Sequence, residues 1–512
     1  RALSATVASM LGALLLAAPV LLPAVLLRGE TERAAAFSRE VAERWSLHPV
    51  RWLELFVPVP LGDPLKPEVY PGAPYSDDPM VQVLPWAVSL YAGASTLAFA
   101  TLAPPRRARA LWVGGVLGLF AALGSHTPVH ALLRVALPPL ALARYPEKHV
   151  LVVLGVLATL ASFGLERVLE EHRPVRAWAV VAAVGLAAAA VLAPAPLRAT
   201  ALEGSVHAAV ALAATLAALV AASRAPRASW AVPAVLALDL AFAGRPLLAW
   251  LPTSALDPPS MARQILAPPH AFPPRIYRPR SADDARVETL DDNAGSLFGI
   301  AAVPGHDPAR PPLPPLGPML ANGARLSEWM RLDALLFPRQ GEDEARLLRT
   351  PPRPRAWMVA RAEPALAEDA VPRLADPHLD LEATALVEGA GDALPASLAT
   401  AEPRPLGICS PSLVSAAALT LRCEAPSAAW LVVAEGMGTG WEAEVDGEPR
   451  PVLRTNALFR GVALEAGAHV VALRYRAPGL TEGALVALLG LLGLALLAAR
   501  ERRGAPVRSP SS

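Results

Sequence analysis

From Ser205 to Ser223 the chain carries no Asp, Glu, Lys or Arg. An apolar run that long spans most of a bilayer's hydrocarbon at 1.5 Å per helical residue, so it must be surrounded by lipid or by a large protein interior. Similar runs recur. With a window of about 19 residues they are read at 5–27, 84–104, 109–125, 148–165, 177–194, 205–223, 228–250 and 483–499, which predicts about eight spans. The apolar stretch 129–143 is interrupted by Pro138 and Pro139 and is read as re-entrant or interfacial. Composition agrees, since 54% of the 512 residues are hydrophobic and only 18% charged, too apolar for a soluble chain of this size. The net charge is +1 and no basic stripe is interleaved with aromatics, so no nucleic-acid partner is implied.

Lys and Arg in the short connections set the expected orientation. If the first span runs outward, the cytoplasmic side receives Arg106, Arg107 and Arg109, then Arg167, Arg173 and Arg176, then Arg224 and Arg227, and finally Arg500, Arg502 and Arg503. The expected fold is a membrane α-helical bundle plus an extracytoplasmic, mostly-β domain. The bundle covers 1–250 with outer loops at 28–83 and 126–147, and a Pro/Arg-rich extracytoplasmic segment covers 251–354. A β-sandwich follows over 355–480, then a C-terminal transmembrane helix over 481–500 and a cytoplasmic tail over 501–512. The sandwich is read from short alternating runs such as ALTLRCEA, AWLVVAEGM and HVVALRYRA. In the last of these Val471, Leu473 and Tyr475 share one face. Asp446-Gly447 is the strongest hairpin signal, because a type I′ turn needs positive φ at both central residues. Cys409 and Cys423 are the only cysteines, and a disulfide and two unpaired thiols are both open readings. No CxxC or HExxH spacing occurs, so no metal is expected.

The run GWEAEVDGEPRPVLRTNALFRGVALEAGAHVVALRYRAPGLTEG, from Gly440 to Gly483, resembles the closing signature of the bacterial YfhO family of membrane proteins. The resemblance rests on Gly440, Trp441, Val445, Asp446, Gly447, Asn456, Phe459, Arg460, Gly467, His469, Tyr475 and Pro478. Weaker blocks fall in the family's order: LYAG at 90–93, GSHTPVHALLRVALPPLALARYPEKH at 124–149, ALDLAFAG at 237–244, NAGSLFGIAAVPGHDP at 293–308 and PRAWMV at 354–359. Gly305-His306 stands where the family usually has Gly-Tyr. The family's first helices have no counterpart here, so the chain is expected to be an N-terminally truncated copy. In the wider class of GT-C glycosyltransferases, the loop after those helices usually supplies the catalytic acid.

The resemblance implies an integral membrane protein of the bacterial cytoplasmic (inner) membrane. Such a protein takes a sugar from a polyprenyl-phosphate donor and transfers it to an extracytoplasmic envelope glycan or glycolipid, with no cofactor beyond that donor and with metal dependence left open. The alternative is a non-catalytic envelope protein that binds a glycan or partner through its outer domain, or assists export. The transfer requires a carboxylate base, cations for the departing phosphate and an apolar groove for the lipid tail. Asp239 is the first candidate base, an acid inside an apolar span whose burial costs about 2.5–3.5 kcal/mol on insertion scales. The plainer reading is an interhelical hydrogen bond. Asp77 and Asp78, beside Pro79, are further candidates or a solvated turn. For the phosphate, Arg144 offers a planar fork and Lys148 a point charge at the start of a span, with His126 nearby; snorkelling side chains are the alternative. Arg28 and Arg33 read as interfacial anchors. Trp441, with His469 and Tyr475, forms either a sugar-stacking face or ordinary strand packing.

Overall fold

The computed structural model describes residues 2–31, 37–64, 70–75, 87–171, 193–248, 257–278, 294–303, 323–337 and 346–504, with isolated residues between these segments. The chain divides into two units, one of residues 36–252 and one that joins 1–35 to 253–512. Helix α1 (Ala2–Leu26) opens the second of these.

The 36–252 unit is helical. It contains α2 (Ala94–Thr101), α3 (Pro105–Ala122), α4 (Val129–Ala136), α5 (Val150–Glu171), α6 (Arg198–Arg224) and α7 (Ala231–Gly244). Helix α5 presses on α2 at Gly164, where an added Cβ would stand 1.8 Å from the Phe99 carbonyl oxygen, so only glycine permits the approach. Val57, Phe99, Ala208, Leu212 and Val232 form one buried cluster, and Leu47, Leu90, Ala122, Val150 and Leu160 form another.

Among the described residues three helices are long and apolar enough to cross a membrane, Pro146–Glu170, Ala195–Arg224 and Arg227–Leu247. They associate the chain with a membrane, but they are three and not the eight expected, and the multispanning bundle is corrected accordingly. Among the described residues, the apolar portions Leu11–Leu26, Ala108–Ala122 and Leu480–Leu496 of longer helices run ten to seventeen residues, below the ~20 apolar residues that span hydrocarbon. The 84–104 run fails for a local reason. Gly93 has φ +93 and Pro104-Pro105 follows, so among the described residues of the run only the eight of Ala94–Thr101 are helical, a rod of about 12 Å. A hydropathy window sums Ala and Leu without registering either break. Residues 177–192 of the 177–194 run lie outside the described residues.

Among the described residues the second unit contains three sheets. Strands β1 (Arg275–Tyr277), β2 (Ala301–Val303), β3 (Ala334–Phe337) and β4 (Arg346–Arg349) form a four-stranded sheet in the order β2-β1-β3-β4. A seven-stranded sheet takes β5 (Ala356–Val359), β6 (Arg361–Ala365), β7 (Thr384–Glu388), β8 (Pro405–Ile408), β11 (Ala429–Gly436), β14 (Leu453–Thr455) and β15 (Phe459–Leu464). A five-stranded sheet takes β9 (Ser410–Val414), β10 (Ala418–Ala425), β12 (Trp441–Val445), β13 (Glu448–Arg450) and β16 (Gly467–Tyr475). Strand β11 is buried on both faces. Leu431 and Val433 join Leu419, Leu421, Val445, Val471 and Leu473 in the core between the two larger sheets. Trp430, Val432 and Ala434 point the other way, against α8 (Gly323–Met330) and α9 (Ala367–Ala375). That double burial explains its continuous apolar sequence. Helix α10 (Leu480–Gly504) closes the unit alongside α1, with Gly483 against the Ala18 carbonyl.

The Asp446-Gly447 pair forms the turn from β12 to β13 with φ of 54° and 88°. Cys409 and Cys423 are bonded to each other, closing a loop with a sequence separation of 14. On the chain-entropy estimate such a loop contributes about 3 kcal/mol. Reduction, or Cys409→Ala with Cys423→Ala, is therefore expected to lower the urea midpoint of this unit without changing its β-sheet circular dichroism at low urea.

Candidate functional site

Among the described residues of the helical unit, two connected places hold buried polar side chains. The first is Asp239, on α7 and 5% exposed. His207 on α6 donates from Nε2 to its Oδ1 at 2.9 Å. The Tyr91 hydroxyl, just before α2, donates to the same carboxylate at 3.1 and 3.2 Å from its two oxygens, and accepts from the Ala94 N–H at 3.0 Å. The interhelical bonding that was the plainer reading of Asp239 is thus present, and it joins three elements. The centre is not sealed. His207 and Asp239 line a cleft of about 500 Å³ together with Val210, Leu238, Phe242 and Arg245. A separate, almost wholly apolar cavity of about 260 Å³ lies among Phe56, Leu97, Trp112, Val116, Val156 and Leu212.

The second place is a buried ion cluster. Arg51 holds Glu54 through Nε and Nη2 at 2.6 and 3.0 Å, reaches Glu147 through Nη1, and donates to the Ala87 carbonyl at 2.6 Å. Glu54 also accepts the Leu90 N–H at 3.1 Å. All three side chains are at most 5% exposed. Burial alone would lower the Arg51 guanidinium, but the Glu54 and Glu147 carboxylates outweigh it and hold it above the usual arginine value. Burial, and then Glu54, push the nearby Tyr70 phenol up to about 12. Because Arg51 and Glu54 fix Ala87 and Leu90, they also fix the segment that delivers Tyr91 to Asp239.

Arg144 and Lys148 sit beside this cluster in sequence and share one aromatic ring. The Arg144 guanidinium is 5.1 Å from the Tyr145 ring centre and 5.0 Å from that of Phe37, and Lys148 Nζ is 4.7 Å from Tyr145. Tyr145, with φ 70°, in turn meets Trp45 edge-on at 4.5 Å. Among the described residues none offers Arg144 a carboxylate. His126 joins the same 42–48 segment, its ring 5.3 Å from that of His48, which stands 5.1 Å from Tyr75. Arg144, Lys148 and His126 are therefore gathered around one loop, which Glu147, Arg51 and Leu90 connect to the Asp239 centre. Asp77, Asp78, Arg33 and His306 lie outside the described residues.

Trp441 belongs to the other unit. Its ring packs on Tyr475 at 5.4 Å, and the Arg460 guanidinium lies 3.3 Å from its centre. His469 bonds Asp446 at 2.7 Å. These contacts are strand packing, with one ring face already covered by a cation. Near them, burial alone would raise the Glu435 carboxyl, but the charges of Arg275, Arg355 and Arg460 outweigh it and hold it below the ordinary value. A depressed folded value means that the stabilisation exists above the unfolded pKa, near 4.5, and is lost as pH falls through the folded one. Glu435→Gln is accordingly expected to flatten the acid limb of a stability-against-pH curve, read by urea unfolding.

Tyr91, His207 and Arg245 were not singled out in the sequence. Tyr91 was within reach, because LYAG and ALDLAFAG were both recognised as blocks, although not as contacting partners. His207 carried one available signal, a lone imidazole in an otherwise uncharged apolar run. No family model, curated protein or solved structure matches this chain.

Proposed function

We propose that the chain is a membrane glycosyltransferase of YfhO type, which moves a sugar from a polyprenyl phosphate to an acceptor in the bacterial cell envelope. The observation that carries this reading is the Asp239–His207–Tyr91 centre opening on a cleft that also holds Arg245. An imidazole backed by a carboxylate supplies proton transfer, and the exposed guanidinium supplies a partner for a leaving phosphate. The apolar cavity between α2, α3 and α5 has the lining a hydrocarbon tail needs. Arg144 and Lys148 are held on Tyr145 as two further cations for phosphate.

The same reading places the reaction on the extracytoplasmic side of the cytoplasmic membrane. Arg224 and Arg227 flank the turn between α6 and α7, and positive charge favours the cytoplasm, so α7 runs outward and residues from 253 onward emerge outside. Asp239 is then eight residues, or about 12 Å, from the outer end of its span at Leu247. The test is a comparison of envelope glycans from a deletion strain and the same strain carrying the gene. Loss of a glycosyl substituent that returns with the gene supports the transferase, whereas identical glycan profiles reject it.

A further inference from the structure

Asp239 is the obvious base by residue type, yet its surroundings argue against direct contact with substrate. Its side chain is 1% exposed and both oxygens already accept, Oδ1 from His207 and Tyr91 and Oδ2 from Tyr91. His207 is different. Its side chain is 30% exposed and lines the cleft, and with Nε2 committed to the carboxylate no described residue bonds Nδ1. Against a carboxylate, which as an ion only accepts, a neutral imidazole carries its proton on Nε2 and its lone pair on Nδ1.

We propose that His207 Nδ1 is the base that receives the acceptor's hydroxyl proton, and that Asp239 and Tyr91 are positioning residues. The assignment rests on the transferase reading. As the acceptor oxygen bonds to the anomeric carbon, its proton passes to Nδ1. The bond from that carbon to the phosphate oxygen breaks, and its electron pair leaves with the polyprenyl phosphate. The resulting imidazolium lies against the Asp239 carboxylate, which stabilises it, and the proton returns to water after product departs. Tyr91 keeps Asp239 from rotating away. Among the described residues, Asp239 and Tyr91 contact the imidazole, Arg245 lines the same cleft and Glu203 lies one turn earlier on α6.

The experiment uses the full chain in lipid nanodiscs, a radiolabelled polyprenyl-phosphate hexose as donor and delipidated envelope as acceptor. His207→Gln is expected to lower kcat on the order of 10²- to 10⁴-fold and to leave KM for the donor nearly unchanged. Should the variant fail to fold, diethyl pyrocarbonate on the wild type replaces it. Carbethoxylation of His207, located by mass spectrometry, should abolish transfer, and hydroxylamine should restore it. Transfer that survives in His207→Gln, or with His207 fully modified, overturns the base assignment and leaves the reaction class standing. A wild-type chain that transfers nothing overturns both.

Discussion

Arg51→Met is expected to destabilise the helical unit by about 3–5 kcal/mol, the usual consequence of removing one partner from a buried ion cluster. Arg51 is one cation facing two carboxylates, Glu54 and Glu147, and all three are out of water. Methionine fills most of the volume but leaves two buried negative charges without compensation, together with an unpaired Ala87 carbonyl. Thermal unfolding in detergent reads the effect, along with the amount of protein in the membrane. A second substitution, Glu54→Gln, added to Arg51→Met should recover part of the loss by removing one uncompensated charge. A single Arg51→Met variant as stable as the wild type would mean that the cluster is hydrated and contributes little.

Asp239→Asn is expected to behave in the opposite way, with little effect on membrane level and a loss of transfer on the order of 10²- to 10⁴-fold. The amide is isosteric with the carboxylate and keeps an oxygen to accept from Tyr91 or His207, so the three elements stay joined. What disappears is the negative charge that orients the imidazole and stabilises its protonated form. Arg144→Ala should act on a different step, raising KM for the polyprenyl-phosphate donor more than it lowers kcat. Asp239→Asn is checked by labelled-sugar transfer, normalised to protein recovered in the membrane. Full transfer by it would remove the carboxylate from any part in the chemistry.

The β-rich unit was the more legible part of the sequence, for reasons visible in individual residues. Asp446 and Gly447 are a turn by the conformations they tolerate, and those conformations are local. Several other residues of the Gly440–Gly483 run also have local structural tasks. Asn456, at φ 50°, pairs its side-chain oxygen with the Leu386 N–H at 2.8 Å, and Trp329 donates to its carbonyl at 2.9 Å. Arg460 donates to the Gly436 carbonyl, and Phe459 is buried beside Trp329. A signature made of such residues describes how a sheet is held together. It carries little information about chemistry.

The helical unit was less legible because its decisive features are breaks and contacts. A composition window cannot see Gly93 ending a run, so 84–104 was read as a span when most of it is not helical. Asp239 was found because an acid in an apolar stretch is conspicuous. Its partners were not, since Tyr91 lies 148 residues away and His207 32 residues away, and only the fold brings them together. The Arg51 cluster has the same character, as Glu147 lies 96 residues from Arg51.

The most direct measurement is the fate of labelled sugar when purified full-length chain in nanodiscs is given a radiolabelled polyprenyl-phosphate hexose and delipidated bacterial envelope. Label appearing in the envelope fraction with wild-type protein, and not with Asp239→Asn present at equal amount, is the predicted result. Label that stays wholly on the polyprenyl phosphate with the wild type, or moves equally well with both, would contradict the assignment of sugar transfer to this centre.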